Sequence, residues 1–357
     1  MPLLLNNDHI EQVLDMPSLI DELTLAFTDL HQKQGVIRNR SDTGIPRPQL
    51  DANYVFKSME GGYTRRGVYA IRMSSDIIQW PDRDKGQRKE KLPSHPGDSY
   101  LGLVMLFSID NGELLAIMPD GIIQKMRVGA TNGVGIHHMA RTNAHRVGLI
   151  GAGNQAGAQL QAVCAVRPVS EIAVYSPTQS RREAFATFWS EQLGVPVKPV
   201  NTAREAVTGQ DIVLCATNSM APVLEAEWLE PGMHLSSLKR FELPTEVYRK
   251  ADRIAIHTRH WEPDMQLMGD QELPDAAIWK ARKLAQSDDW LQHPEVGALT
   301  AGEVPGRESD QEITCFVNNI GTGLQFAAAA NLVLERTRAK GLGETLPMTW
   351  FTQTIVT

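Results

Sequence analysis

The sequence predicts an α/β chain built around a doubly wound parallel sheet. Three observations carry this. An apolar run falls straight into glycines at Arg146–Gly157 (RVGLIGAGNQAG). Strand-patterned and helix-patterned segments alternate from there to about residue 256, the rhythm of βαβ units. The chain has 357 residues, 42% of them hydrophobic, too many for one ordinary core, so two domains are expected.

Taken in order, Met16–His31 has apolar residues at helical spacing and predicts an amphipathic helix. Residues 53–78 alternate like strands, with Gly61-Gly62 as the turn between them. Residues 80–98 (WPDRDKGQRKEKLPSHPGD) are charged and rich in turn formers, so they predict an exposed excursion. Its basic cluster, Arg83–Lys91, reads as a solvated loop. Residues 100–121 predict two strands around an Asn111-Gly112 hairpin turn. A helix is expected near 125–141, a buried strand over VGLIGAG (147–153), a helix near 155–166, then strands and helices in turn through EIAVYS, RREAFATFWSEQL, VPVKPV, TAREAVTG, DIVLCAT, HLSSL, TEVYRKAD and RIAIHT. A last long helix, GLQFAAAANLVLERTRAK, stops at Gly341.

Composition excludes several function classes. The formal net charge of −7 argues against a nucleic-acid surface. Cys164, Cys215 and Cys315 all lie in apolar runs, as buried thiols of a reducing compartment do. The N-terminal segment has no signal-peptide character and no stretch is apolar enough to span a membrane. A cytoplasmic protein is the expectation.

The chemistry concentrates at the glycines. Gly151, Gly153 and Ala156 fit G-x-G-x-x-A after a strand and at the start of a helix. The first makes the tight turn, the second lets backbone approach a diphosphate, and the third permits close packing, with Asn154 and Gln155 in the helix's first turn. This predicts a dinucleotide site. The next strand ends in Ser176-Pro177-Thr178 followed by Arg181-Arg182, with no carboxylate to hold ribose hydroxyls. Ser176, Thr178 and Arg181 would suit a 2′-phosphate, so NADP(H) is favoured, with NAD(H) possible. Thr217 and Asn218 end a strand where the crevice should face the nicotinamide side.

Other candidates are weaker. Adjacent helical residues His137 and His138 point about 100° apart and share no face. His257, His260, Glu262 and Asp264 lack helical spacing, so no metal is expected. Trp261 and Trp279 are expected to pack a domain face.

AIMPDGIIQKMRVGATNGVGIHHMAR, NAHRVGLIGAGNQAGAQL, EAVTGQDIVLCATNSMAPVLEAEWLEPGMHLSSL and FVNNIGTGLQFAAAANLVLERTRAKGLG, in that order, resemble the ornithine cyclodeaminase/μ-crystallin family over about residues 35–345. The resemblance implies a Rossmann domain, here 127–315, inside a split α+β domain, here 1–126 with 316–357, that carries substrate and dimer contacts. It implies a homodimer acting on a small amino or imino acid by hydride exchange at the α-carbon. Family carboxylate-binding arginines fall on Arg40, with Arg47 as the weaker alternative, and on Arg127; a family lysine falls on Arg72. Thr-Ala-Ala after the second arginine has become Val128-Gly129-Ala130, and the segment after Gly321 is changed too. The cyclodeaminase aspartate has no counterpart in the loop Ser236–Glu242, which includes Ser237 and Lys239. That disfavours ornithine cyclisation and favours imine reduction. An ammonia-releasing cyclodeaminase and a non-catalytic NADPH-binding protein are the alternatives. Arginine stays charged and is a poor acid, so Arg72 leaves the proton donor open among Lys239, Glu242, His137 and water. The 80–98 excursion is expected to cap the substrate cleft or the dimer rim.

Overall fold

The computed structural model describes residues 1–83, 86–260, 262–269, 273 and 291–355. Trp261 and Trp279 lie outside the described residues. Two large sheets organise the molecule.

The first sheet is mostly antiparallel. It holds β1 (Leu3–Leu4), β2 (Gly35–Ile37), β3 (Ser41–Arg47), β4 (Ala52–Tyr63), β5 (Val68–Gln79), β8 (Glu90–Leu92), β9 (Leu101–Ser108), β10 (Leu114–Pro119), β17 (Asp264–Leu267) and β19 (Glu344–Thr345). Its spine runs β3-β4-β5-β9-β10. The short β6 (Asp82–Arg83) and β7 (Gly86–Gln87) pair with each other inside the excursion. The second sheet is wholly parallel, in the order β13 (Val197–Pro199), β12 (Glu171–Tyr175), β11 (Arg146–Ile150), β14 (Ile212–Cys215), β15 (His234–Ser237), β18 (Thr314–Val317), β16 (Arg253–Ile256). That 3-2-1-4-5 start is the Rossmann order, with its crevice at the carboxyl ends of the strands.

The helices are α1 (Asn7–Glu11), α2 (Met16–His31), α3 (Gly121–Met139), α4 (Asn154–Val166), α5 (Gln179–Leu193), α6 (Ala203–Val207), α7 (Thr245–Lys250), α8 (Val296–Thr300) and α9 (Gly323–Lys340). Asp15 caps α2 by accepting from the Ser18 amide at 2.9 Å. Leu19, Ile20, Leu23, Ala26 and Phe27 bury its apolar face in one core with Ala327–Ala330 of α9. Central α3 packs closely because it carries glycines. A Cβ on Gly129 would sit 2.4 Å from the Ala158 carbonyl oxygen, and one on Gly133 2.6 Å from Ile20. That accounts for the glycine where the family pattern has alanine.

Two sequence expectations need correction. The turn between β4 and β5 is Thr64–Gly67, with Gly67 at φ +63°, whereas Gly61 and Gly62 lie inside β4. They are small because α9 rests on them: a Gly61 Cβ would meet the Leu324 amide nitrogen at 2.7 Å. The basic part of the excursion is also not simply solvated. β8 pairs with β5, Lys91 binds Asp76 at 2.9 Å and the Lys89 ammonium lies 5.6 Å from the Trp80 ring centre.

Candidate active site

The glycine turn has the backbone that a dinucleotide needs. Gly151 adopts φ +119°, and a Cβ there would lie 2.3 Å from the Ala216 carbonyl oxygen, so no larger residue fits. Gly153 is the N-cap of α4, makes no side-chain cap, and would have nothing within 4 Å of an added Cβ. Exposed Asn154 follows it. The first-turn amides of α4 therefore face open space with their positive dipole end. Gln155 is turned aside, donating to Gln124 Oε1 at 2.8 Å. Ala156 is buried, but the tightest fit falls one residue later, where a Gly157 Cβ would stand 1.9 Å from the Trp189 ring.

At the tip of β12 the two arginines part. Arg182 is buried and holds the turn, donating to the Ser176 carbonyl at 3.2 Å and to Asn201 Oδ1 at 2.8 Å. Arg181 is exposed beside exposed Thr178. Of the pair, only Arg181 remains available to a ligand.

Glu242 organises the ends of β14 and β15. Its buried carboxylate accepts from the Thr217 amide (2.6 Å), the Thr217 hydroxyl (2.7 Å), the Ser237 hydroxyl (3.0 Å) and the Leu238 amide (3.1 Å). It is a clasp for two crevice loops, which removes it from the candidate acids; Asn218 stays exposed at the rim. Lys239, half-buried, opens the 3-10 turn Arg240–Glu242, its carbonyl accepting from Ser237 at 2.7 Å. His137 is exposed in the last turn of α3, and the ten residues from Arg127 to it span roughly 15 Å of helix, so it is not part of the site.

Beside the ends of β15 and β18 lies a cationic face. Arg127 is buried in the first half of α3. Its guanidinium stacks on Phe326, 4.9 Å from the ring centre, and donates to Gln325 Oε1 at 3.0 Å. Gly321 makes the room, since a Cβ there would touch the guanidinium at 2.6 Å. Asn318, which follows β18, ties this part of α3 to the crevice by donating to the Val128 carbonyl at 3.1 Å. No carboxylate pairs with Arg127 among the described residues, and its buried Nε has no partner. Burial, with Arg72 nearby, pushes its pKa down to about 9.

Arg72 lies against the same ring at 5.6 Å, held by Asp120, with Nε at 2.7 Å and Nη2 at 2.5 Å from Oδ2. Gly102 admits that carboxylate, because its Cβ would clash with Asp120 at 2.2 Å. Arg40 forks onto Asp42 at 2.8 and 2.9 Å, and its charge acts on Arg127; Arg47 is exposed on the far end of β3. The structure thus brings Arg72 and Arg127 together over Phe326, with the Arg40 charge near enough to act on Arg127. Sequence reasoning missed Asp120, Phe326 and Gln325. Asp120 could have been found from its place before the α3 start. The others carry no local signal.

His257 Nδ1 donates to the Ile320 carbonyl at 2.7 Å, and burial pushes its pKa down to about 3. Among the described residues no group of three or more His, Cys, Asp or Glu could hold a metal ion.

The chain resembles known proteins over most of its length. It is 32% identical over 249 residues to a Δ1-pyrroline-2-carboxylate reductase of Bacillus cereus, covering 68% of this chain and 73% of that one. It is 28% identical over 284 residues to an alanine dehydrogenase of Archaeoglobus fulgidus, covering 78% and 82%. The structure of Thermococcus litoralis Δ1-pyrroline-2-carboxylate reductase, in complex with NADH and L-proline, superposes with a TM-score of 0.77 at 25% identity, covering 96% of this chain and all of that one. The profile of the ornithine cyclodeaminase/mu-crystallin family matches residues 87–341. The chain belongs to that family.

Proposed function

We propose that the protein is a nicotinamide-dinucleotide-dependent reductase of a small imino acid, able to run in reverse as an amino-acid dehydrogenase. The observation that carries this reading is Arg127: a buried guanidinium that no carboxylate contacts among the described residues, stacked beside a second arginine at the crevice end of a parallel sheet. Burying an unpaired charge is costly unless something anionic completes it. A ligand carboxylate does so, and guanidinium forks bind carboxylates in two parallel hydrogen bonds. The reductase and dehydrogenase names of the relatives support the same class.

In this reading the amides around Gly151, Gly153 and Asn154 hold the diphosphate. Ser176, Thr178 and Arg181 favour NADP(H) over NAD(H); the T. litoralis structure contains NADH, so the preference rests on this chain's own strand tip. Thr217 and Ser237, set by Glu242, and Asn218 at the rim line the nicotinamide side. When bound, the reduced cofactor supplies the hydride. Arg127 takes the substrate carboxylate; Arg72 and Arg40, each tied to an aspartate, fix the direction of approach. Such positioning is most of what hydride transfer asks of the protein. We assign residues 1–126 with 316–357 to substrate binding and homodimerisation and 127–315 to the nucleotide, although β17 joins the first sheet by pairing with β3.

The test is direct. Titrating the purified chain with NADPH and NADH should show fluorescence enhancement by both and tighter binding of NADPH. A panel of cyclic and linear α-imino acids should then give cofactor oxidation with at least one member. Absence of any nucleotide binding would refute the reading.

A further inference from the structure

Imine reduction needs a proton as well as a hydride. Adding hydride to a C=N carbon sends the π electrons to nitrogen, which must gain a proton. Arg72 stands where the family lysine is expected, His137 is placed elsewhere and Glu242 is engaged, which leaves water and Lys239 of the candidates named so far.

One strand over, the same sheet face carries a lysine. In the β4–β5 register Met59 faces Arg72 and Lys57 faces Ser74. Positions 57 and 59, like 72, 74 and 76, alternate onto the buried side. Lys57 is buried, its ammonium 3.3 Å from Asp76 Oδ2, which also accepts from the Ser74 hydroxyl at 3.1 Å. The other carboxylate oxygen, Oδ1, binds Lys91 at 2.9 Å. Lys91 belongs to the excursion and its side chain is 43% exposed, against 1% for Asp76. The excursion also reaches the crevice, where Arg88 forms an antiparallel bridge with Ser219, two residues beyond Thr217. Lys57, Asp76 and Lys91 thus make an unbroken polar path from solvent to the sheet face that carries Arg72.

Resting on the imine-reductase reading, we propose that Lys57 is the catalytic acid and that Asp76 and Lys91 recharge it from solvent. As hydride reaches carbon, a Lys57 Nζ–H bond breaks and an N–H bond forms on the substrate. Nζ keeps the electron pair as a neutral amine, and a proton returning along the Lys91–Asp76 route restores the ammonium. In the oxidative direction the neutral amine takes the proton back.

The surroundings suit this role. Around Lys57 are Asp42, opposite it on β3, Arg40 just before that strand, Ser74 and Asp76 from β5, and Lys89 and Lys91 from the excursion. Burial is the largest influence on Lys57. The lysines and Arg40 add to it, Asp76 opposes it, and the ammonium is pushed down to about 7. An acid near neutrality gives up its proton readily and regains it quickly.

The experiment combines pH–rate profiles with thermal unfolding, using NADPH and Δ1-pyrroline-2-carboxylate, or the best imino acid of the panel. Wild-type reduction should fall above about pH 7. Lys57→Met should lower kcat by about 10²–10³ and erase that limb, with NADPH affinity unchanged. Lys91→Met should move the limb to higher pH and Asp76→Asn to lower pH, opposite shifts that a packing role does not produce. Unfolding gives a readout without turnover. The native pKa is depressed below the unfolded value, so between about pH 7 and 10 the unfolded chain binds the extra proton and stability rises with pH. Lys57→Met should flatten that rise and melt higher than wild type at pH 6. A wild-type chain that reduces none of the panel overturns the functional reading, and the acid role with it. A wild-type chain that turns over while Lys57→Met keeps the alkaline limb overturns the acid role alone.

Discussion

The nucleotide turn and the cationic face are built on opposite principles. The turn, Gly151 to Gly157, is local: its shape follows from one positive φ, one helix N-terminus and places where a Cβ cannot go. The face is assembled from β3, β4, β5, the start of α3, the Gly321 loop and Phe326 of α9. Arg127 and its partner Gln325 are 198 residues apart in the chain. A backbone site can be written in a dozen consecutive letters. A side-chain site requires the fold first, and its charges are tuned by neighbours from remote segments.

The largest effect that separates the two should come from Arg127→Met. If the guanidinium exists for a ligand carboxylate, its loss should cost kcat/KM about 3–4 kcal/mol, two to three orders of magnitude. NADPH binding should be nearly unchanged. Stability should hold or rise, because a buried cation that no carboxylate contacts among the described residues gives way to an apolar side chain of similar length. Steady-state kinetics, NADPH fluorescence and a melting curve decide it. A large fall in melting temperature would mean that Arg127 is chiefly structural.

Asp120→Asn should behave in the reverse sense. Asp120 is the counter-ion of Arg72, closed in by Gly102. Removing its charge leaves two buried guanidiniums over one Phe326 ring, which should destabilise by about 3 kcal/mol in chemical denaturation. Together the two substitutions ask whether the face keeps one arginine for structure and one for the ligand.

The same contrast decides what was legible in the sequence. The α2 span, the hairpin at Asn111-Gly112, the glycine turn and the strand alternation from β11 to β16 follow from local periodicity and turn chemistry. Gly61-Gly62 misled because glycine serves two purposes. Here it makes room for α9 rather than a bend in its own chain, and nothing nearby distinguishes them. Arg127 and Arg72 were visible through the family pattern, but their unequal pairing was not. Lys57 was invisible as a charged group: inside an alternating strand it reads as one more polar position, and only the β3–β4–β5 register shows that it faces inward.

The smallest predicted effect concerns the backbone site, where side chains add only preference. The Arg182 guanidinium already bridges Ser176 and Asn201, so Arg182→Gln would disturb the turn itself. Arg181 is exposed at the start of α5 and is the clean probe. An exposed ion pair with a 2′-phosphate is screened by water and salt, so its worth is about 1 kcal/mol. Arg181→Gln should therefore weaken NADPH binding roughly fivefold at low salt and less at high salt. NADH binding should not move, because the diphosphate is held by amides that the substitution leaves alone. Equal losses for both nucleotides would show that Arg181 supports the α5 start rather than reading the phosphate. No loss for either would shift the discrimination to the Ser176 and Thr178 hydroxyls.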